Sequence, residues 1–454
     1  MRGAEAVLRP HRPRTETSTL ARVSAWRNWA GDQACSPAVF ERPGSVAEVV
    51  DALGRAAGAR HTVRVAGAGH SFSEAVLTND TLMSLERMNR VLDVDRESGL
   101  IRAQGGIALR ELNQALDSHG LAVENLGDID VQSLAGAAAT GTHGTGSRLR
   151  NLSAGLVSMQ LALADGSVTE VSERDDPDAW RAARVSLGAL GVVTELTLQA
   201  VPAFTLEGVD APRPLAEVLD HLDDLAAGSD HFELYNFPHS DVALTRTNNR
   251  VDGPPRPRSR ARAWRDDVLL ANGAFGLACR MGRARPSLIP RLNRVVSRVA
   301  GSSRRVDRSF EIFASPRLVR FTEMEYAIPR ERAREAIEAL RDLIDDRGFA
   351  VPFPFEVRFV AGDDAFLSPA GGRDTCYIAV HMYRGMEWEP YFRAVEEVMD
   401  GFGGRPHWGK RHFQTAATLA PRYPEWDRFA AVRGRLDPEG RFANRYVERV
   451  LGPG

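Results

Sequence analysis

Two glycine-punctuated loops, each holding a histidine, are the stretches of this 454-residue chain best suited to chemistry. The first is Gly67-Ala68-Gly69-His70-Ser71, after the β-rich run TVRVAG. The second is ATGTHGTG, with Gly141, Thr142, His143 and Gly144. Small residues let backbone N–H groups approach an anion closely, and glycine tolerates the φ values this needs. Neither loop is a P-loop, because no Lys-Ser/Thr follows the glycines, and neither fits G-x-G-x-x-G. A turn explains either loop alone. Two of them, each with a histidine, keep a phosphate-bearing ligand open. His70 then has two readings: a loop histidine bonded to a carbonyl, or a nucleophile or ligand beside such a cofactor. Metal ligation is disfavoured. There is no H-E-x-x-H, and His407 and His412 lie in an Arg/Lys-rich surround.

The second half adds charged residues in unusual places. Glu356 and Arg358 alternate in FEVRF, so in a strand they face one side. That side is either a charged cavity lining or an exposed face carrying a salt bridge. RPHWGK (405–410) packs an aromatic, a histidine and Lys410 into one turn, and alone it could be a surface loop. His381 lies in an apolar strand, where a satisfied core histidine is the commoner case. The run with Arg256, Arg258, Arg260, Arg262 and Arg265 is read as a solvated loop, not a nucleic-acid contact, because the net charge of −2 supplies no wider basic surface.

These residues need elements to hold them. Ser45-x-x-Glu48 is a capping box for a helix with Val46, Val49, Val50 and Leu53 at helical spacing. TVRVAG follows as a buried strand, which puts the first glycine loop at a strand's C-terminal end. LIRAQGGIALRELNQALDSHG reads as strand, Gly-Gly turn and helix. LVSMQLALADGSVTEVS reads as two strands around Asp165-Gly166, and VVTELTLQAV as another. DAPRPLAEVLDHLDDLAAGSDHFELYNFP reads as a helix and then a strand. ERAREAIEALRDLIDDRG is an amphipathic helix with Ile337, Leu340 and Ile344 on one face, and FPFEVRFV and CYIAVHMYRG are strands. The length suggests two or three domains, and no window is apolar enough to insert in a membrane. Three scattered cysteines point to a reducing, cytoplasmic setting.

The ordered set NWAG, ERPGSVAEVV, GAGHSF, NLGDIDVQSLAGAAATGTHGTG, SLGALGVVTELTL, PFEVRF, RPHWGK and LDPEGRFANRYV resembles one family. It is similar to the FAD-linked aldonolactone oxidoreductases, relatives of the alditol oxidases, in the vanillyl-alcohol oxidase superfamily. DVQSLAG is nearer the lactone-oxidising branch, and Ala68 stands where family members vary. The resemblance implies an α+β fold: a two-part FAD-binding domain and an α+β cap with an antiparallel sheet. By this reading 1–20 is a flexible segment, 21–203 the FAD-binding domain, 204–411 the cap, and 412–454 a return to the FAD domain.

The resemblance also implies site roles. His70 would carry a covalent bond to FAD, and Gly67, Ala68, Gly69 and Ser71 would run along the pyrophosphate. Ser133, Gly136, Gly141, Thr142, His143 and Gly144 would pass near the flavin, with Ser133 also toward the substrate. Gly191 and Val193 would lie at the adenine end. Glu356, Arg358, Lys410 and His381 would face the substrate. The implied reaction takes a hydride from a sugar-derived alcohol, a gulono-, galactono- or arabinono-lactone, with oxygen or another acceptor completing the cycle. The alternative is a polyol such as xylitol or sorbitol. The base stays open among Glu356, His381 and a neutral Lys410.

Overall fold

A computed structural model describes residues 25–453; segment 1–20 lies outside the described residues. Three sheets carry the architecture. A parallel sheet joins Val39–Glu41, Thr81–Ser84 and Val63–Ala66, in that order. The helix Val46–Gly58 packs Val49, Ala52, Leu53 and Ala56 inward. Ser45 Oγ accepts from the Glu48 N–H, as the capping box requires, but Glu48 reaches the Gly44 N–H instead of that of Ser45.

A five-stranded antiparallel sheet follows, in the order Val168–Ser172, Leu156–Ala162, Val192–Gln199, Leu100–Gln104, Val91–Asp95. Its core includes Ile101, Leu112, Leu134, Met159 and Leu196, and extends to Trp408, Tyr446 and Val447. The C-terminal segment therefore packs back onto the first half. Buried Arg64 donates to the carbonyls of Ala75, Leu187, Gly188 and Phe442, tying the two together. The helix Arg445–Leu451 is capped by the Asn444 side chain.

The largest sheet has eight strands: Ser303–Arg308, Thr205–Pro214, Val242–Val251, His231–Asn236, Phe355–Val360, Thr375–Tyr383, Phe321–Pro329 and Arg405–Pro406. Its pairs are antiparallel. One face packs against Ala333–Arg347, through Ile337, Leu340 and Ile344, and against Glu389–Gly401. Gly348 ends the first of these helices at φ 64°.

Two elements differ from the sequence expectation. DAPRP is strand, not helix: it completes Thr205–Pro214 before a helix at Leu215. Ser303–Arg308 covers only Thr205–Asp210, so Pro212 and Pro214 lie beyond it on a free edge, where a missing N–H costs nothing. The arginine-rich run is a loop only as far as Ser259. Arg260–Ala263 is one helical turn, and Trp264–Ala274 continues as a π-helix.

Candidate active site

The first glycine loop follows directly from the strand Val63–Ala66. Gly67 and Ala68 are exposed, and Gly69 is held at φ 72°. The backbone N–H groups of residues 67–71 and of Gly136 find no acceptor among the described residues. A Cβ on Gly67 would sit 2.3 Å from Ser133 Oγ, so the first loop touches the start of the helix Leu134–Ala139. A Cβ on Gly144 would meet Asn125 Oδ1 at 2.2 Å, and Gly141 has φ 73°. Unpaired N–H donors on residues 67–71 and on Gly136, brought together where Gly67 meets Ser133, can receive an anion such as a pyrophosphate.

The loops are fastened to the rest of the site. The Phe72 N–H donates to the Gly409 carbonyl at 2.7 Å, and Ser73 Oγ donates to the Trp408 carbonyl at 2.9 Å. The Gly146 N–H donates to the Phe359 carbonyl, which docks the second loop on the strand Phe355–Val360. RPHWGK is therefore not a surface loop: Trp408 is fully buried and donates through Nε1 to the Leu367 carbonyl.

Strand register assembles the chemistry. Across neighbouring strands Glu233 faces Arg358, Tyr235 faces Glu356, and Glu323 faces His381. Alternation puts Glu233 with Tyr235, Glu356 with Arg358, and Glu323 with Glu325 on one side of the sheet. That side lines a cavity of about 1680 Å³, which also reaches Trp29, His70, Ser71, Phe72, Thr142, His143 and Lys410. Glu356 and Arg358 are 7% and 8% exposed, so the exposed-face reading fails. His381 is buried but still borders the cavity, donating through Nδ1 to the Pro354 carbonyl.

Electrostatics differentiate these groups. Arg358 pairs with Glu356, with Glu233 at 3.0 Å and with Asp128 at 3.5 Å. Burial, opposed by Arg358 and helped by Asp128 and Glu233, raises the Glu356 carboxyl to about 7. Asp128 behaves oppositely: burial would raise it, but Arg317 and Arg358 hold it well below the carboxylate range. Tyr235 donates to Glu233 at 3.0 Å and stays a phenol, its pKa raised by burial and by both carboxylates. Lys410 Nζ lies 2.5 Å from Glu323. Burial would lower the Lys410 pKa, but Glu323 and Glu325 outweigh it and keep the ammonium, which removes a neutral Lys410 from the candidate bases.

His70 stacks on Trp29 with ring centroids 5.3 Å apart. Burial, then Lys410 and Arg320, lower it to about 4, so its ring keeps a free lone pair at neutral pH. His143 stacks on Tyr377 and sets Nε2 3.2 Å from Glu325 Oε1. With His407, these two bring possible metal-ligand atoms within 4.8 Å of one another. A hydrogen bond takes His407 out of that set. His407 accepts the Gly409 N–H at Nδ1, and burial lowers it to about 3, so the neutral ring presents N–H, not a lone pair, at Nε2. His412 lies apart, bonded to Tyr446.

Not every expected residue faces the cavity. His70, Ser71, Thr142, His143, Glu356, Arg358, His381 and Lys410 line it. Gly67, Ala68, Gly69, Ser133 and Gly136 lie together outside it, where the first loop meets the helix start, and Gly141 and Gly144 are buried beside its lining residues Thr142 and His143. Ser133, expected to reach substrate as well, instead abuts Gly67. Gly191 and Val193 lie at the start of Val192–Gln199, and the Val193 carbonyl packs on Gly105, next to Ala135. Sequence reasoning passed over Asp128, Glu233, Tyr235, Arg317, Glu323 and Glu325. The Glu323/Glu325 pair in FTEMEYAI carries the same alternation that picked out FEVRF.

Comparison with known proteins agrees with this layout. A family model described as D-arabinono-1,4-lactone oxidase matches residues 196–450, and one described as an FAD binding domain matches residues 37–172. The chain is 53% identical to an L-gulono-1,4-lactone dehydrogenase of Mycobacterium tuberculosis, over 94% of this chain and 99% of that protein. It is 36% identical to L-gulonolactone oxidase of Mus musculus, over 94% and 98%. Among solved structures, cholesterol oxidase from Brevibacterium sterolicum shares the fold, with TM-score 0.77 and 17% identity over 94% of this chain and 96% of that one.

Proposed function

This chain belongs to the D-arabinono-1,4-lactone oxidase family, an FAD-binding family, and from that premise we propose that it oxidises an aldono-1,4-lactone at a carbinol carbon. One observation carries the reading: a raised carboxyl, a guanidinium and an ammonium, on Glu356, Arg358 and Lys410, converge on a cavity that His70 also borders. Bound FAD supplies the hydride acceptor.

The protein's own residues do the rest. Glu356, poised near neutrality, takes the substrate hydroxyl proton as the carbinol C–H weakens. Lys410 and Arg358 stabilise the growing alkoxide charge in a low-dielectric pocket. Glu323 and Asp128 hold those two cations in place. His381 fills a positioning role, with Nδ1 fixed by Pro354 and Nε2 directed at Glu323. Trp29, Phe72, Phe321 and Phe353 form the apolar wall that keeps water away.

Gly67 to Ser71 and Gly136 would bind the pyrophosphate through backbone N–H groups. His70, neutral and stacked, has the free lone pair that a covalent bond to the flavin 8α-methyl needs. We place the protein in the cytoplasm, which suits three cysteines that are free in the fold. No helix among the described residues is long and apolar enough to cross a membrane.

A substrate panel tests the reading. Gulono-, galactono- and arabinono-1,4-lactone should support turnover with oxygen or an artificial dye. Turnover of xylitol or sorbitol in preference to every lactone would move the reading to a polyol oxidase.

A further inference from the structure

The near-zero net charge hides a local island. Residues 254–302 hold eleven arginines against two aspartates, a net +9 in a chain of net −2. The same region breaks the ordinary rule for apolar side chains. Of the ten large apolar side chains exposed among the described residues, five lie in it, Trp264, Leu277, Met281, Val295 and Val299, and a sixth, Leu318, lines the groove beside it.

The helix Ile289–Val299 shows why this is more than scatter. Two of its three buried residues are polar: beside Ile289, Asn293 donates to the carbonyls of Pro238 and Val351, and Ser297 donates to that of Asn293. Its outward face carries Val295 and Val299, 58% and 74% exposed, between Arg291, Arg294 and Arg298. The preceding helix, Phe275–Ala284, repeats the arrangement. Leu277, Arg280, Met281 and Ala284 face solvent at helical spacing, while Cys279 and Gly282 are buried. Beside it a groove of about 540 Å³ is lined by Arg280, Arg283, Arg320 and Arg384, with no acidic side chain among the described residues that line it.

We propose that the helical excursion 254–302 of the eight-stranded half is a docking face for an anionic phospholipid surface. Outward valines, Leu277, Met281 and Trp264 interleaved with arginines match an interfacial helix, whose apolar side chains dip below the headgroups. The arginines lay their stems over that apolar surface and send guanidinium groups to phosphates. The four-arginine groove fits a phosphodiester headgroup. Val299 and Arg262 also border the mouth of the large cavity, so docking turns that mouth toward the lipid. The inference stands apart from the choice of substrate.

Flotation of the full-length, FAD-loaded protein with vesicles tests it. The protein should float with vesicles containing phosphatidylglycerol at low salt, and not at high salt or with phosphatidylcholine alone. Each arginine near such a surface is worth about fivefold in partitioning, so R291E/R294E should weaken binding by more than about 25-fold. V295D should weaken it through lost apolar insertion. Dye-linked lactone turnover in free solution, FAD content and melting temperature should stay at wild-type values in these variants. The proposal is overturned if the wild type ignores phosphatidylglycerol, or binds phosphatidylcholine equally well. It is overturned too if the variants float like wild type, or if the protein binds polyglutamate but no vesicle, which would point to an acidic protein partner.

Discussion

Substitution of Glu356 by glutamine removes one charge and almost no volume, and its consequences follow from the site. Arg358 keeps two carboxylate partners, Glu233 at 3.0 Å and Asp128 at 3.5 Å, so the strand pairing and the guanidinium position survive. The lost function is proton acceptance, worth about 10²- to 10⁴-fold in the chemical step. The sign of the pH dependence is fixed by which form acts. The carboxylate is the base and its pKa is about 7, so wild-type flavin reduction should fall about tenfold per pH unit below 7 and level off above it. E356Q should be slow and flat across that range. Stability should move the other way. The folded state holds the proton from the ordinary carboxyl value of 4.5 up to about 7, so wild-type stability declines through that window as pH rises. Full ionisation costs on the order of 3 kcal/mol, a cost that glutamine lacks. The variant should therefore gain melting temperature over wild type at pH 8 and gain none at pH 4. Anaerobic stopped-flow at several pH values, with thermal melts of both proteins, makes the comparison. A glutamine variant reduced at the wild-type rate, with the wild-type pH profile, would refute the assignment of Glu356 as base.

Other perturbations separate the remaining roles. Lys410→Met should slow reduction by about 10²- to 10³-fold while the FAD content stays constant; lost FAD with an unchanged rate in the residual holoprotein would contradict the role given to Lys410. Acid-precipitated wild type should keep its yellow colour in the pellet and His70→Ala should release it; colour in the wild-type supernatant would end the covalent assignment. Gly67→Ala crowds Ser133 Oγ and, added to His70→Ala so that FAD is held reversibly, should weaken FAD binding measured by fluorescence titration, with FAD bound as tightly as in His70→Ala alone being the contrary result. Glu323→Gln leaves Lys410 with less negative charge beside it, so any activity lost through Lys410 deprotonation should set in at lower pH than in wild type; an unchanged alkaline limb would deny the pairing its electrostatic role.

Local pattern made much of this site legible in the sequence, and depth did not. The alternation in FEVRF put Glu356 and Arg358 on one side, yet only the sheet around them shows that side to be buried. Glu323 and Glu325 carry the same signal in TEMEYA, but their strand reaches the cavity through pairing of Glu323 with His381, 58 residues away in sequence, which no local window contains. Asp128 lies in an irregular loop and matters because Arg317, far along the chain, meets it. The helix 289–299 gives no clear sequence signal because Val295 and Val299 point outward while Asn293 and Ser297 join Ile289 inward, blurring the pattern that normally marks a helix face. Pro212 and Pro214 disguised a strand by sitting on its free edge. The helices 46–58 and 333–347 were read well because capping and apolar spacing agree there.

Oxidation of an aldonolactone in this cavity can be read from the flavin itself. The most direct measurement mixes the purified, FAD-loaded protein with L-gulono-1,4-lactone without oxygen and follows the flavin absorbance. The flavin should bleach in a single substrate-dependent phase in the wild type, more slowly in E356Q and in Lys410→Met. An oxidised spectrum that persists with gulono-, galactono- and arabinono-1,4-lactone alike would contradict it.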